Sequence, residues 1–134
     1  MEVNVKLLGD VKFEVAARTH SLVCDQPAEN GGGDEGMTPP ELLLASLGTC
    51  AAFYASAYLR KKGMPREGVA VRVTAEKAGP PARLDNFRIE VKIPLALSAT
   101  DRAGVEQAVH HCLIHNTLLH LPTIQIELQA PAAA

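Results

Sequence analysis

Apolar and polar residues alternate with period two over the first quarter of the chain. Val3, Val5 and Leu7 fall on one side and Glu2, Asn4 and Lys6 on the other. Gly9-Asp10 marks a turn, after which Val11, Phe13 and Val15 alternate with Lys12 and Glu14. Successive strand side chains point to opposite faces, so this pattern predicts a hairpin. His20 to Asp25 predicts a third strand. Gln26 to Met37 holds four Gly, one Pro, an Asn and several acids, which predicts a loop. The period then changes. Thr38-Pro39-Pro40-Glu41 reads as a helix start: Thr38 caps, Glu41 reaches back to the cap, and Pro39 fills the first helical position, where its missing N–H costs nothing. This helix is expected to run to about Lys62 and stop at Gly63, with Arg60, Lys61 and Lys62 suiting the negative end of its dipole.

Two longer strands are expected next. Val69, Val71 and Val73 alternate with Ala70, Arg72 and Thr74. Beyond the Gly79-Pro80-Pro81 break, Phe87, Ile89, Val91 and Ile93 alternate with Arg88, Glu90 and Lys92. Ser98-Ala-Thr-Asp101 is a second capping box. Val105, Ala108, Val109 and Cys112 form an i, i+3, i+4, i+7 stripe and predict a helix that carries Cys112 on its apolar face. A short helical turn follows through Leu119. Ile124, Ile126 and Leu128 predict a last strand, before a frayed tail of Pro131 and three Ala. The expected order is β-β-β-α-β-β-α-β. Strands in blocks around a single helix argue for an α+β fold with a mostly antiparallel sheet. With no internal repeat and no dividing linker, residues 1–134 read as one domain.

Composition narrows the function. A formal charge of −2 with both signs interspersed leaves no nucleic-acid footprint. No Trp, two Tyr and three Phe give no aromatic stacking platform. Leu42 to Leu59 is uncharged and near the minimum length for a membrane span, but Ser46, Gly48, Thr49, Ser56 and two Tyr dilute it. A helix apolar on most sides is also what a wrapped core helix looks like, so no membrane partner is expected. Met1-Glu-Val-Asn-Val-Lys is a strand pattern rather than a signal peptide, and three cysteines suit a cytoplasmic protein with reduced thiols.

Two cysteines carry the candidate chemistry. Cys50 and Cys112 each fall on an apolar helix pattern, and the fold could bring them together in a dry pocket suited to peroxide or disulfide chemistry, although a buried cysteine alone behaves as a small hydrophobe. Cys50 lies about three turns past its helix start, beyond the reach of the dipole. A reactive thiolate there would need a cation: Arg18, His111, His115 or a residue of another subunit. Glu41 is the nearest acid in sequence. Nine residues place it about 180° round the helix and about 13 Å along it, which favours capping over contact with Cys50. His110, His111, His115 and His120 surround Cys112, and Cys112 with His111 and His115 could make a three-ligand zinc site, yet no C-x-x-C or H-E-x-x-H accompanies them. Cys24 is expected to pack in a strand. Gly31-Gly-Gly-Asp-Glu-Gly lacks the Lys-Ser/Thr of a phosphate loop, and no cofactor site is read from the chain.

Gly36-Met-Thr-Pro-Pro-Glu-Leu-Leu-Leu-Ala-Ser-Leu-Gly-Thr-Cys50, followed about sixty residues later by Cys112-Leu-Ile-His-Asn-Thr-Leu118, resembles the OsmC/Ohr family of osmotically inducible and organic-hydroperoxide-resistance proteins. Asp25-Gln-Pro and Gly31-Gly-Gly-Asp34 resemble its general OsmC-like branch. The resemblance covers nearly the whole chain and implies an intertwined homodimer, with each central helix in a core shared by two chains and the active sites near the interface. It implies a peroxidase in which Cys50 attacks a hydroperoxide and becomes a sulfenic acid. Cys112 would resolve that as a disulfide, and a dithiol or lipoyl-type partner would reduce it. Two positions depart from the family pattern. The Glu that follows the helix-start Pro is here Pro40, with Glu41 one residue late. The Arg of a Gly-Gly-Arg segment is missing from Leu8-Gly9-Asp10-Val11-Lys12; Arg18 lies further on, and it or a nearby His is the candidate cation. A non-enzymatic dimer of the same fold, binding a small apolar or thiol ligand, is the alternative.

Overall fold

The computed structural model describes residues 1–133. Three antiparallel strands come first: β1 (Asn4–Gly9), β2 (Lys12–Ala17) and β3 (His20–Cys24), in the order β1-β2-β3. Val5 pairs with Val15 and Phe13 with Cys24, as the alternation requires. A loop with a 3-10 turn at Ala28–Asn30 leads to α1 (Pro39–Lys61). The hairpin β4 (Ala70–Ala78) and β5 (Arg83–Lys92) follows, with Val71 opposite Val91 and Val73 opposite Ile89. Then come α2 (Ala99–His110) and α3 (Leu113–Leu119). The fold is α+β with antiparallel sheets, as expected.

The helix ends follow the capping chemistry of the sequence. The Glu41 carboxylate accepts from the Thr38 N–H and hydroxyl, both at 2.7 Å. Ser98 Oγ accepts from the Asp101 N–H at 3.0 Å. Helix α1 packs on β4 and β5 along one side, and α2 and α3 also lie against it. The core sits along that contact: Leu47, Ala51, Ala55 and Leu59 of α1, with Val105 and Cys112. Gly104 lets α2 approach α1 closely, since a Cβ there would overlap the Tyr58 ring. Tyr58 also donates to Asp101 at 3.1 Å, tying α1 to the first turn of α2.

Two expectations are corrected. Cys112 does not lie on the stripe of α2. That helix ends at His110, and Cys112 is the N-cap of α3 with non-helical φ −56° and ψ 121°. Residues 124–128 form no strand, so the observed order ends in two helices. Ile124, Ile126 and Leu128 are 80%, 92% and 91% exposed. Their alternation suits a strand, but strands need a neighbour to satisfy their N–H and C=O groups, and no edge of this chain pairs with them. Helix α1, expected in a core shared by two chains, is met on one side by its own chain. It is long and apolar enough by length and composition to cross a membrane, yet its packing against β4, β5, α2 and α3 is that of a core helix covered on one side only. Phe53 is 65% exposed on the other side. The chain exposes 10403 Å², whereas a folded monomer of its mass exposes about 6,800 Å².

Candidate functional site

The site is built from two helices. Cys50 occupies the third turn of α1 and is partly exposed. Cys112 stands in the break between α2 and α3 and has no exposed surface. Its sulfur takes the capping role usually given to a Ser or Asp oxygen, accepting the His115 N–H at 3.4 Å. The tie of Tyr58 to Asp101 and the close approach at Gly104 set the seat of α2 on α1, and α2 delivers Cys112 to the flank of α1 that carries Cys50.

Cys50 and Cys112 lie near enough for one thiol to influence the other. Burial pushes the Cys112 thiol up from its ordinary value of 9.0, a side-chain hydrogen bond with Cys50 and that sulfur's charge push it the same way, and the N–H groups of His115 and Ile114 pull it down. Two neighbouring sulfurs in a mostly apolar setting can interconvert between a dithiol and a disulfide where their Cβ atoms approach to about 4 Å. Both are free thiols in this structure, as is Cys24, which is buried on β3 and bridges to Met37. No cationic side chain is among the influences on Cys112.

The other candidates lie elsewhere. Glu41 is fixed in the first turn of α1 by Thr38, which holds its carboxyl below the ordinary 4.5 through a backbone and then a side-chain hydrogen bond. Arg18 sits in the β2–β3 turn at a positive φ of 55°, exposed and on a sheet that packs little against α1. A single chain therefore brings neither to the thiols. The zinc arrangement also fails: among the described residues, no three His, Cys, Asp or Glu side chains stand close enough to share a metal. His115 instead faces His110, with ring centroids 5.3 Å apart, and its buried Nδ1 has no partner.

Two features escaped the sequence. The first is a cleft of about 510 Å³ between β5 and α2, with Ile89, Val91, Leu97, Val105 and Val109 on its apolar walls and Arg102, His110 and His115 among its polar ones. The second is Asp25, whose buried carboxylate accepts from the N–H groups of Gln26 (2.8 Å), Gly33 (3.0 Å) and Glu35 (3.1 Å). It staples the glycine-rich loop, and Lys12 reinforces the staple through a 3.1 Å ion pair with Glu35. Gly32 is needed there, because a Cβ would overlap the Gln26 carbonyl.

A family model described as OsmC-like protein matches residues 31–127, the span that contains the loop, both helices and both thiols. No curated protein matches the chain. Solved structures share its fold. One is an osmotic stress induced and detoxification response protein from Psychrobacter arcticus, at TM-score 0.79 and 20% identity over 86% of this chain and 85% of that one. Another is an OsmC like protein from Mycoplasma pneumoniae, at TM-score 0.71 and 20% identity over 90% and 87%. A third is an organic hydroperoxide resistance protein from Legionella pneumophila, at TM-score 0.60 and 18% identity over 88% and 89%. At such identities the likeness carries the fold alone.

Proposed function

The chain belongs to the OsmC-like protein family, and from that premise we propose that it is a cytoplasmic thiol-dependent peroxidase acting as a homodimer. A role in peroxide resistance fits the family and the hydroperoxide-resistance protein that shares its fold. The observation that carries the reading is that a half-buried Cys50 neighbours a fully buried Cys112. The Cys50 thiolate attacks the terminal peroxide oxygen, the O–O bond breaks, and the alkoxide leaves as the alcohol after taking up a proton. Cys50 is then a sulfenic acid. The Cys112 thiol attacks that sulfur, the disulfide forms, and water departs. Placing Cys112 beside Cys50 gives the second step a high effective concentration and shields the sulfenic acid from over-oxidation. A dithiol or lipoyl-type reductant closes the cycle.

The dimer explains what a single chain leaves open. The surface in excess of a folded monomer is about 3,600 Å² per chain, or about 7,200 Å² over a pair, at the upper end of what obligate dimers bury. The outer face of α1 at Phe53, Val3 with the β1 residues Val5 and Leu7, and the tail at Ile124, Ile126 and Leu128 supply its apolar part. A second copy is also the source for the missing cation, with Arg18 as the candidate, because its own sheet leaves it far from its own thiols in packing terms.

The test is titration of the reduced protein with cumene hydroperoxide and with hydrogen peroxide, following the Cys50–Cys112 disulfide by mass spectrometry. Rapid formation of that single bridge is expected, with turnover lost in Cys50→Ser; full turnover in that variant would overturn the reading. The alternative, a non-enzymatic dimer that binds a small apolar or thiol ligand, draws on the cleft between β5 and α2 and on the missing acid and cation. It gains if both thiols survive peroxide unchanged.

A further inference from the structure

The two sulfurs differ in access, and that difference gives the reductive half of the cycle a direction. We propose that a thiol reductant enters a Cys50–Cys112 disulfide only through the sulfur of Cys50, so that the covalent adduct between protein and reductant forms on Cys50 and Cys112 departs as the free thiol. The inference rests on the pairing of the thiols described above, and nothing in it depends on peroxide.

Thiol–disulfide exchange is a displacement in line with the S–S bond, so the attacking thiolate must reach the far side of the sulfur that it takes. Cys112 has no exposed surface, and its sulfur is capped by the first turn of α3 through the His115 N–H at 3.4 Å. Cys50 is partly exposed on α1. Attack at Cys50 breaks the S–S bond and leaves the electron pair on Cys112, where the His115 and Ile114 N–H groups point at the sulfur. One effect opposes this direction. A thiol held above its ordinary pKa is a slower leaving group, and burial does hold Cys112 there. That dependence is graded, whereas a sulfur without surface cannot be reached at all, so access decides. The same raised value returns a proton to Cys112 once it has left, which slows its re-attack on the adduct. The second sulfur of a dithiol then attacks the reductant's own sulfur in the adduct. The reductant leaves as a cyclic disulfide with two electrons given up, and Cys50 is released as the thiolate.

The experiment forms the bridge in the wild-type protein with diamide, removes the oxidant, and mixes in 2-mercaptoethanol, a monothiol whose adduct is cleared only when a second molecule attacks it. Samples are quenched in acid, free thiols are capped with N-ethylmaleimide, and fragment ions assign the modified cysteines, which also separates Cys50 from Cys24. At the earliest times the species with mercaptoethanol on Cys50 and maleimide on Cys112 should exceed the reverse by about tenfold or more, the preference expected when one sulfur is enclosed. Equal amounts, or mercaptoethanol mainly on Cys112, would overturn the direction. Failure of diamide to form the bridge would overturn it as well. Because the oxidant is diamide, a protein that ignores peroxide still reports on this proposal, and the peroxidase reading stands or falls separately.

Discussion

Asp25 has one negative charge and three backbone N–H groups to share it with, and no water-facing surface to spare. The N–H groups of Glu35 and then Gln26 do most to hold its carboxyl below the ordinary 3.8, with Gly33 and Lys12 adding to them against burial. A carboxyl whose folded value is depressed stabilises the fold above its unfolded pKa, and that contribution is lost as pH falls through the lower folded value. Asp25→Asn places an amide donor against backbone donors. The variant should therefore unfold at lower urea concentration than wild type at neutral pH, and the gap should close as pH falls below about 3.8, where the wild-type carboxyl protonates too. A gap unchanged across that range would mean that the charge is not what holds the loop. Asp25 stood in the sequence only as part of a family-like tripeptide. Its bonds reach eight and ten residues along a loop with no period, so only the folded loop reveals them. Cys50 and Cys112 were legible as a pair of candidates, because each sat among apolar neighbours at helical spacing.

Elements were legible where period and caps agree. The alternation of β1, β2, β4 and β5 and the starts at Thr38 and Ser98 were placed within a few residues, since these signals are local in the chain. The end of α2 was not. Its apolar stripe continues through Cys112, but the backbone turns after His110, where Cys112 can cap a new helix. The junction of α1 and α2 was invisible for another reason: a glycine in a helix pattern carries no sign of what it faces. Gly104→Ala forces a methyl into the Tyr58 ring, and overpacking of this kind should cost about 1–3 kcal/mol in denaturant unfolding. If the clash is the cause, removing the ring in Tyr58→Ala should make the second change nearly neutral, so the double variant loses less than the sum. Strict additivity would place the cost of alanine elsewhere.

At the scale of the whole molecule, the surface is larger than that of a folded monomer of its mass, and much of the excess is apolar. Removing the residues after Leu121 deletes Ile124, Ile126 and Leu128, which the rest of the chain leaves exposed. If they seal a shared core, the full chain sediments as a dimer and the shortened chain shifts toward monomer or loses solubility. A full chain that sediments as a monomer at micromolar concentration would remove the dimer. What the sequence determined by itself was everything set by near neighbours: the strand and helix periods, the capping boxes, and two thiols in apolar company that resemble those of a known family. The tertiary structure decided the rest. It brought Cys112 onto the flank of Cys50 and left Arg18 and Glu41 away from both. It stapled the loop on Asp25, and it withheld a partner strand from the tail. Those outcomes depend on which faces meet across tens of residues, and the hydrophobic effect that drives the meeting has no direction along the chain.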